Sequence, residues 1–366
     1  AAPTPSEDLL SDSDPAAAAF SSSTNSVPLR ELVLRDYRLV DDVLFDQCFC
    51  SAEVACLVAQ AGRRGNLHLA LSKEGLNAEG AKSLALGLGC CSSLTSLDIS
   101  HNDLGVDGMR CLYQPLQELA SLTFADISYN DLRKEGVELA FQCTSRLSGL
   151  QHLNLSGNNL EGPCVINASK ELLSLDLSDN RMGAAGVVCL DKVLPVSLTS
   201  LNLSKNNIGD EGACHLAKLF PSEGPASLRL LELRDNSISI AGAEELVKLC
   251  CSVKMIDLRS NSLPQIQGEA LASLLEERPG LRELRLGHNL NQARDGRNQR
   301  DAGSMGWLSA ELEVAPGLAV LDLGVNVLDV VWVRLLAAPL QRMTALPRLD
   351  LRNNGLGAAE ARELAG

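Results

Sequence analysis

The stretch Leu94-Thr-Ser-Leu97-Asp-Ile99-Ser-His-Asn102-Asp-Leu104 decides the fold, because its pattern returns along almost the whole chain. It has the form LxxLxLxxNxL, with Ile99 as an aliphatic substitute for the third leucine. Further copies start at Leu122, Leu150, Leu172, Leu198, Leu228, Val253, Leu281, Leu318 and Leu346. Two degenerate copies start at Leu29 and Asn66, with Tyr37 and Glu74 in place of the asparagine. Self-similarity at a fixed period is the signature of a repeat architecture.

Each unit predicts a strand, a loop and a helix. The LxL alternation buries two aliphatic side chains, which is typical of a short strand. The asparagine is expected to turn inward and bond backbone groups of neighbouring units. A glycine recurs fourteen residues after many starts, and the segment after it predicts a helix; these glycines are Gly80, Gly108, Gly136, Gly186, Gly212 and Gly242. One unit cannot bury its own apolar face, so about 12 repeats of ~28 residues predict an α/β solenoid, with parallel strands on the concave face and helices on the convex face.

This combination of LxxLxLxxNxL, glycine and helix resembles the ribonuclease-inhibitor-type leucine-rich repeat. That class also contains the leucine-rich regions of NOD-like receptors and the Ran GTPase-activating proteins. The resemblance extends over residues 29–366. It implies a horseshoe fold and says little about activity, because one fold hosts inhibitors, scaffolds and regulators.

Four regions depart from the regular unit. Residues 1–28 contain four acids and no base, so we expect a disordered or partner-ordered acidic tail. Residues 29–65 are expected to form an atypical capping repeat, which leaves 66–366 as the regular solenoid. A polar insert at about 290–303 predicts a surface loop. The unit that starts at Leu150 is short and has Pro163 where a helix would begin, so it predicts a loop there.

The composition excludes several classes of protein. The net charge is −14, and aromatic residues are 3% against 69 leucines, so the core must be aliphatic. An acidic chain does not predict a nucleic-acid partner, and no apolar run is long enough for direct membrane insertion. The twelve cysteines are expected to be reduced, with Cys111, Cys189 and Cys214 as small buried residues of the repeat. This favours an intracellular, reducing compartment, most simply the cytoplasm.

Motifs for catalysis and cofactor binding do not occur in the sequence. The chain has no GxxxxGK[ST] phosphate loop, no GxSxG, no HExxH and no EF-hand loop. The five histidines fall in different units, which argues against a common metal site. We therefore expect no catalytic residue, no metal and no cofactor.

The residues between the two buried aliphatics of each LxL are expected to line the concave face. Seven of these twelve are acidic: Asp98, Asp126, Asp176, Glu232, Asp257, Asp322 and Asp350. With strands about 4.8 Å apart, they would form a column of carboxylates that attracts a basic partner. The alternative is that the acids are repeat consensus on a solvated face.

Arginines and aromatic residues complete the candidate face. Two residues beyond the acidic position, serine gives way to arginine in the C-terminal half, which suggests a partner with mixed charge. Phe124 and Tyr129 are expected to flank the acids, with His101 and His152 on neighbouring units. The predicted partner-binding residues are Asp98, His101, Phe124, Asp126, Tyr129, His152, Asp176, Glu232, Arg234, Asp257, Arg259 and Arg285.

These observations favour a non-catalytic protein–protein interaction scaffold, a subunit of a larger intracellular assembly that binds a basic or mixed-charge protein. Three alternatives stay open: a GTPase-activating protein resembling the Ran activators, an enzyme inhibitor of ribonuclease-inhibitor type, and an innate-sensing protein. A single bound small GTPase would favour the first alternative. The scarcity of aromatic residues argues against the tight interface of an inhibitor.

Overall fold

The fold is an open sheet of twelve parallel strands, each of three residues, in strict chain order. The computed structural model describes residues 31–33, 58, 68–191, 194–219, 227–249, 253–263, 280–289, 317–326, 346–358 and 361–362. The strands are β1 (Glu31–Val33), β2 (His68–Ala70), β3 (Ser96–Asp98), β4 (Phe124–Asp126), β5 (His152–Asn154), β6 (Ser174–Asp176), β7 (Ser200–Asn202), β8 (Leu230–Glu232), β9 (Met255–Asp257), β10 (Glu283–Arg285), β11 (Val320–Asp322) and β12 (Arg348–Asp350).

All neighbouring strands pair in the same register, so equivalent residues of successive units align across the sheet. Leu97 of β3 faces Ala125 of β4, and Ala125 faces Leu153 of β5. These middle positions are buried, and so are the aliphatic residues that follow each strand, such as Ile99 and Ile127. The alternation inferred from the sequence is therefore confirmed, and it stacks the aliphatic side chains into one continuous core.

The asparagines form a buried column beside the strands, as predicted. Asn158 is fully buried, and its Nδ2 donates to the carbonyls of Ile127 and Leu155, both at 3.0 Å. Its Oδ1 accepts from the backbone N–H of Asn130 at 2.9 Å. Each carboxamide thus joins its own turn to the preceding one, where no water could satisfy the same groups.

A left-handed residue precedes each of these asparagines and reverses the chain after the strand. Tyr129 has a φ of 53°, and its N–H donates to the carbonyl of Ser156 at 2.8 Å. Positive φ is costly for a residue with a side chain, and the repeated hydrogen bond to the next unit offsets that cost. The equivalent residues all have φ between 53° and 66°: His101, Tyr129, Gly157, Asp179, Lys205, Asp235, Ser260, His288, Val325 and Asn353.

Six helices lie on the other side of the core in the part of the chain that the structure describes. They are α1 (Ala78–Leu88), α2 (Gly105–Gln117), α3 (Arg133–Thr144), α4 (Gly183–Val188), α5 (Gly209–Leu219) and α6 (Ile240–Leu249). Neighbouring helices pack in the pairs α1–α2, α2–α3, α4–α5 and α5–α6. The recurrent glycines lie inside the first helical turn, so each helix begins three or four residues earlier than the sequence pattern predicts.

Close packing explains these glycines. A Cβ on Gly212 would lie 2.3 Å from Cγ2 of Ile208, the residue at the last position of the LxxLxLxxNxL pattern in that unit. On Gly186 it would lie 2.6 Å from Cβ of Met182, which holds the same position. The helix can approach the core this closely only without a side chain at that point.

The short unit has no helix between β5 and β6, as its Pro163 predicts. Residues 161–169 form a loop, and Cys164 and Ile166 fill the core where helical side chains stand in other units. This loop separates α3 from α4.

The cysteine expectation was wrong in one respect. Cys111, Cys189 and Cys214 are half-buried, whereas Cys91, Cys143 and Cys164 are the buried thiols. Cys111 and Cys189 immediately precede a core leucine, and the rotation per helical residue moves them to the border between core and surface. The seven cysteines within the described ranges are all free thiols.

Several expectations lie outside the described residues. These are the tail over 1–28, nearly all of the capping repeat over 29–65, and the insert at about 290–303. They stay predictions.

Candidate partner-binding face

Equivalent residues of successive strands form columns across the solvent-facing side of the sheet. We name the third residues of strands β2–β12 the central column: Ala70, Asp98, Asp126, Asn154, Asp176, Asn202, Glu232, Asp257, Arg285, Asp322 and Asp350. Because the register is uniform, adjacent members lie on hydrogen-bonded strands about 4.8 Å apart. The sequence pattern thus placed these acids in one row correctly.

In the N-terminal half, neutral groups hold the central-column acids. Asp126 Oδ1 accepts from the backbone N–H and the hydroxyl of Ser128, at 3.0 and 2.6 Å. Its Oδ2 accepts from Nδ2 of Asn154 on the next strand at 2.9 Å. Asp176 and Asn202 repeat this arrangement. These bonds orient the carboxylates and leave their negative charge uncompensated.

Asp98 differs from Asp126 and Asp176 because no asparagine of the next strand donates to it. Its Oδ1 accepts from the N–H and hydroxyl of Ser100, at 3.0 and 2.7 Å. Its neighbours in the central column are Ala70, which has no polar side chain, and Asp126, which cannot donate. No ion pair of Asp98, Asp126 or Asp176 occurs with any described residue.

Two ring pairs flank the central column at opposite ends of β4. The rings of His101 and Tyr129 stack, with centroids 4.5 Å apart and an angle of 3° between planes. The ring centroids of Phe124 and His152 are 6.3 Å apart, and the angle between their planes is 43°. Phe124 and Tyr129 are 37% and 40% exposed, which is unusual for aromatic residues in a chain so poor in them. The structure therefore pairs the four residues, but as two separate clusters.

Gly157 allows Tyr129 to reach across the next unit. A Cβ on Gly157 would lie 2.4 Å from the tyrosine ring, and the phenol Oη donates to Asp179 Oδ2 at 3.4 Å, two units away. Partial burial and the nearby Asp179 raise the pKa of Tyr129. Gly157 and Asp179 were not among the predicted residues. The sequence contained a signal for this contact, since Gly157 is the one glycine among the ten left-handed residues that directly precede the described asparagines.

The C-terminal half compensates its own charge. Arg259 Nε donates to both oxygens of Asp257 at 2.9 Å, and this hydrogen bond raises the pKa of Arg259. Arg285 donates to Glu283 at 2.6 Å and lies 3.7 Å from Asp257. Arg352 pairs with Asp350 in the same way as Arg259 with Asp257 and holds the pKa of Asp350 below its usual range.

This arrangement corrects the prediction that Asp257 is presented to a partner. Its side chain is only 2% exposed because Arg259 and Arg285 cover it. The two arginines are about 30% exposed and hold this internal carboxylate, so their charge is largely used within the molecule.

Glu232 lies between the two halves, and its carboxylate has no hydrogen-bond partner or ion pair among the described residues. Burial raises its pKa, and the neighbouring charges of Asp257 and Asp176 raise it further. Arg234, two residues on, is exposed and likewise has no ion pair with a described residue.

No group of three or more His, Cys, Asp or Glu side chains in the described ranges could hold a metal ion. None of the helices described here has both the length and the apolar character needed to cross a bilayer.

Comparison with known families now identifies the fold. The family model described as "Leucine Rich repeat" matches residues 90–112, 169–190 and 196–217, and a second, "Leucine Rich Repeat", matches 149–168. The chain is a leucine-rich repeat protein. The family matches do not distinguish the ribonuclease-inhibitor type from other leucine-rich repeat classes.

Solved leucine-rich repeat structures resemble the chain at low identity. The leucine-rich repeat-containing protein LegL7 from Legionella pneumophila matches at 21% identity and a TM-score of 0.47, over 74% of this chain and 79% of LegL7. A TLR13–ssRNA13 complex matches at 19% identity and a TM-score of 0.45, over 86% of this chain and 51% of that one. Among curated proteins, none matches significantly.

Proposed function

We propose that this leucine-rich repeat protein is a non-catalytic interaction scaffold whose concave face binds a basic protein. Leucine-rich repeat proteins generally act in protein–protein interaction, and a curved solenoid offers an extended surface for it. The observation that carries the proposal is the uncompensated charge of Asp98, Asp126 and Asp176. A subunit of an intracellular assembly, in a reducing compartment, is the role we propose.

The distribution of ion pairs supports a basic partner over one of mixed charge. Arg259, Arg285 and Arg352 are each paired with a carboxylate of this chain, so they offer little free positive charge. The N-terminal half has carboxylates held only by serine and asparagine groups. Electrostatic complementarity therefore favours lysine and arginine side chains over strands β3–β6, and it would increase the rate of association.

The exposed aromatic residues support the same part of the face. Phe124 and Tyr129 lie on either side of the acids of β3 and β4, and each is already held by a histidine ring. A held aromatic side chain loses little entropy on binding, which is why such residues dominate many interfaces.

The test is native co-purification at low and high salt, with the bound proteins identified by mass. The matched variant is Asp98→Asn/Asp126→Asn/Asp176→Asn. Asparagine already occupies two places in the central column, where Asn154 and Asn202 accept the same backbone N–H as the aspartates do, both at 3.0 Å. The variant therefore removes charge and keeps the acceptor for the backbone N–H, while Asp126 and Asp176 lose the bonds that they accept from Asn154 and Asn202.

A control variant removes three exposed acids from other surfaces: Glu171→Gln/Asp191→Asn/Glu211→Gln. We expect the wild type and this control to retain a salt-sensitive basic partner that the central-column variant loses. Equal recovery by all three proteins would refute the proposal. If the bound protein is a single small GTPase, and this chain stimulates its GTP hydrolysis in an assay, the GTPase-activator alternative replaces the scaffold proposal.

A further inference from the structure

Cys164 and Cys189 are in contact on the side of the molecule opposite the concave face. The backbone N–H of Cys164 donates to Sγ of Cys189 at 3.2 Å. Cys164 lies in the loop over 161–169 and is 6% exposed, while Cys189 caps the C-terminus of α4 and is half-buried. This contact exists because the short unit has a loop where the other described units have a helix.

We propose that Cys164 and Cys189 are a modification site, at which a hydroperoxide oxidises the two thiols to a disulfide. The geometry that brings them together is the hydrogen bond from the Cys164 backbone N–H to the Cys189 sulfur. The oxidant is a hydroperoxide, which the site would take as its small-molecule substrate.

The distance is compatible with a bridge. The 3.2 Å hydrogen bond limits the separation of the two Cα atoms to about 7.5 Å. Disulfides usually span about 4.4–6.8 Å between Cα atoms. Closing the remaining gap requires a small movement of the 161–169 loop, which has no helical hydrogen bonds to break.

The different exposure of the two thiols sets the order of the steps. Burial raises the pKa of Cys164 to about 12, with the nearby Cys189 as a lesser cause, so Cys164 is the poor nucleophile of the pair. The Cys189 sulfur is the more accessible. It attacks one peroxide oxygen, the O–O bond breaks, and Cys189 becomes a sulfenic acid while the other oxygen leaves as water or an alcohol.

The second step joins the sulfurs. Cys164 attacks the Cys189 sulfenic sulfur, the S–O bond breaks, and the hydroxyl leaves as water with the proton of the Cys164 thiol. The two thiols together lose two hydrogens, and the peroxide gains two electrons. Cellular thiols can reverse the reaction by exchange, so the site suits a reducing compartment.

The consequence is a covalent clamp across the helix-less unit. The loop is otherwise held by its buried side chains and by bonds such as that from the Val165 N–H to Glu138 Oε1 at 2.9 Å. Val165 and Val188, next to the two cysteines, are 65% and 47% exposed. The disulfide would restrict this exposed region and leave the concave face unchanged.

The sequence makes the test unambiguous. The full chain is treated with hydrogen peroxide, its free thiols are blocked, and it is digested with trypsin without reduction. Residues 147–170 and 182–192 form two tryptic peptides, each with a single cysteine. We expect a linked pair of these peptides, lighter than their sum by two hydrogens, as the main intramolecular crosslink. Reduction should remove it.

Variants separate the pair from the other thiols. Cys189→Ser should abolish the linked peptides, while Cys143→Ser, a change at another buried thiol, should retain them. A second measurement needs no variant: amide exchange of the 161–169 loop should slow at least several-fold after oxidation. Three results would overturn the proposal. Cys189 could be oxidised beyond the sulfenic state while Cys164 stays a free thiol, Cys189 could be linked to another cysteine, or the folded protein could give no linked peptide.

Discussion

At the scale of single residues, one buried asparagine in each unit from Leu122 onward satisfies backbone groups of its own turn and of the preceding one. Asn158 donates to three carbonyls and accepts from backbone N–H groups of the preceding unit. An orphaned buried polar group costs about 1–3 kcal/mol. The asparagine column is therefore a structural requirement, and it accounts for the repeat that the sequence displays.

Asn158→Ala is expected to lower the free energy of unfolding by about 2–4 kcal/mol, because several buried groups lose their partner together. Urea denaturation measures this. Asn167→Ala is the matched control, since Asn167 is exposed in the loop of the same unit. Equal midpoints for the two variants would contradict the structural account.

Glu232 predicts a dependence of stability on pH. Its pKa is raised in the folded chain, mainly by burial and then by Asp257 and Asp176, so the folded state binds its proton more tightly than the unfolded state. Stability therefore falls as the pH rises from the unfolded pKa, about 4.3, to the folded pKa, and the penalty persists at neutral pH.

Glu232→Gln is expected to raise the melting temperature at neutral pH, and the gain should shrink as the pH falls through about 4. Glu283→Gln is the contrasting change on the same face. Glu283 pairs with Arg285 at 2.6 Å, so removing its charge should not raise the melting temperature. A Glu232→Gln gain that is the same at every pH would show that charge is not its cause.

At the scale of helices, one unit can cap the helix of the next. Asp210 lies in the first turn of α5, and its carboxylate accepts from the N–H and the hydroxyl of Ser239, at 2.7 and 2.6 Å. Ser239 immediately precedes α6. A Cβ on Gly242 would lie 2.5 Å from Asp210 Oδ1, so the glycine makes room for this carboxylate. The negative charge also lies near two helix N-termini, where it is favourable.

Asp210→Ala is expected to destabilise the chain by about 1–2 kcal/mol, the usual cost of a lost N-terminal cap. Chemical denaturation is the measurement. Asp107→Ala is the control, because Asp107 is an exposed acid in the first turn of α2, where it pairs with Arg110. If the control lost as much stability, the bonds to Ser239 would have no special role.

At the scale of the whole molecule, the net charge of −14 and the carboxylates of the central column oppose the compact state by self-repulsion. Salt screens this repulsion over about 8 Å at physiological ionic strength, a length comparable with two strand spacings. The same screening weakens attraction to a basic partner. Stability and binding should therefore respond to salt in opposite directions.

Raising the sodium chloride concentration is expected to increase the melting temperature while it reduces recovery of the partner in co-purification. The Asp98→Asn/Asp126→Asn/Asp176→Asn variant should show a smaller salt effect on both quantities. A wild-type melting temperature that falls with salt would contradict the predicted self-repulsion.

The sequence alone was sufficient for the repeat, the strand positions and the inward asparagines. The reason is that parallel stacking repeats one local environment, so a buried position such as Leu97 or Asn158 favours the same residue type in most units. The same regularity placed Asp98, Asp126 and Asp176 in one row. It also indicated that Pro163 replaces a helix with a loop.

Only the tertiary structure decided how side chains of different units meet. Tyr129 reaches Asp179 across Gly157, Arg259 and Arg285 cover Asp257, and Cys164 meets Cys189. Each contact depends on side chains that differ from unit to unit, so the repeat pattern alone does not predict it. Local sequence determines which residues share a face, because strand periodicity is a property of the backbone. Whether a carboxylate is neutralised depends on whether an arginine of the same or a neighbouring unit can reach it. Only the folded solenoid defines these distances.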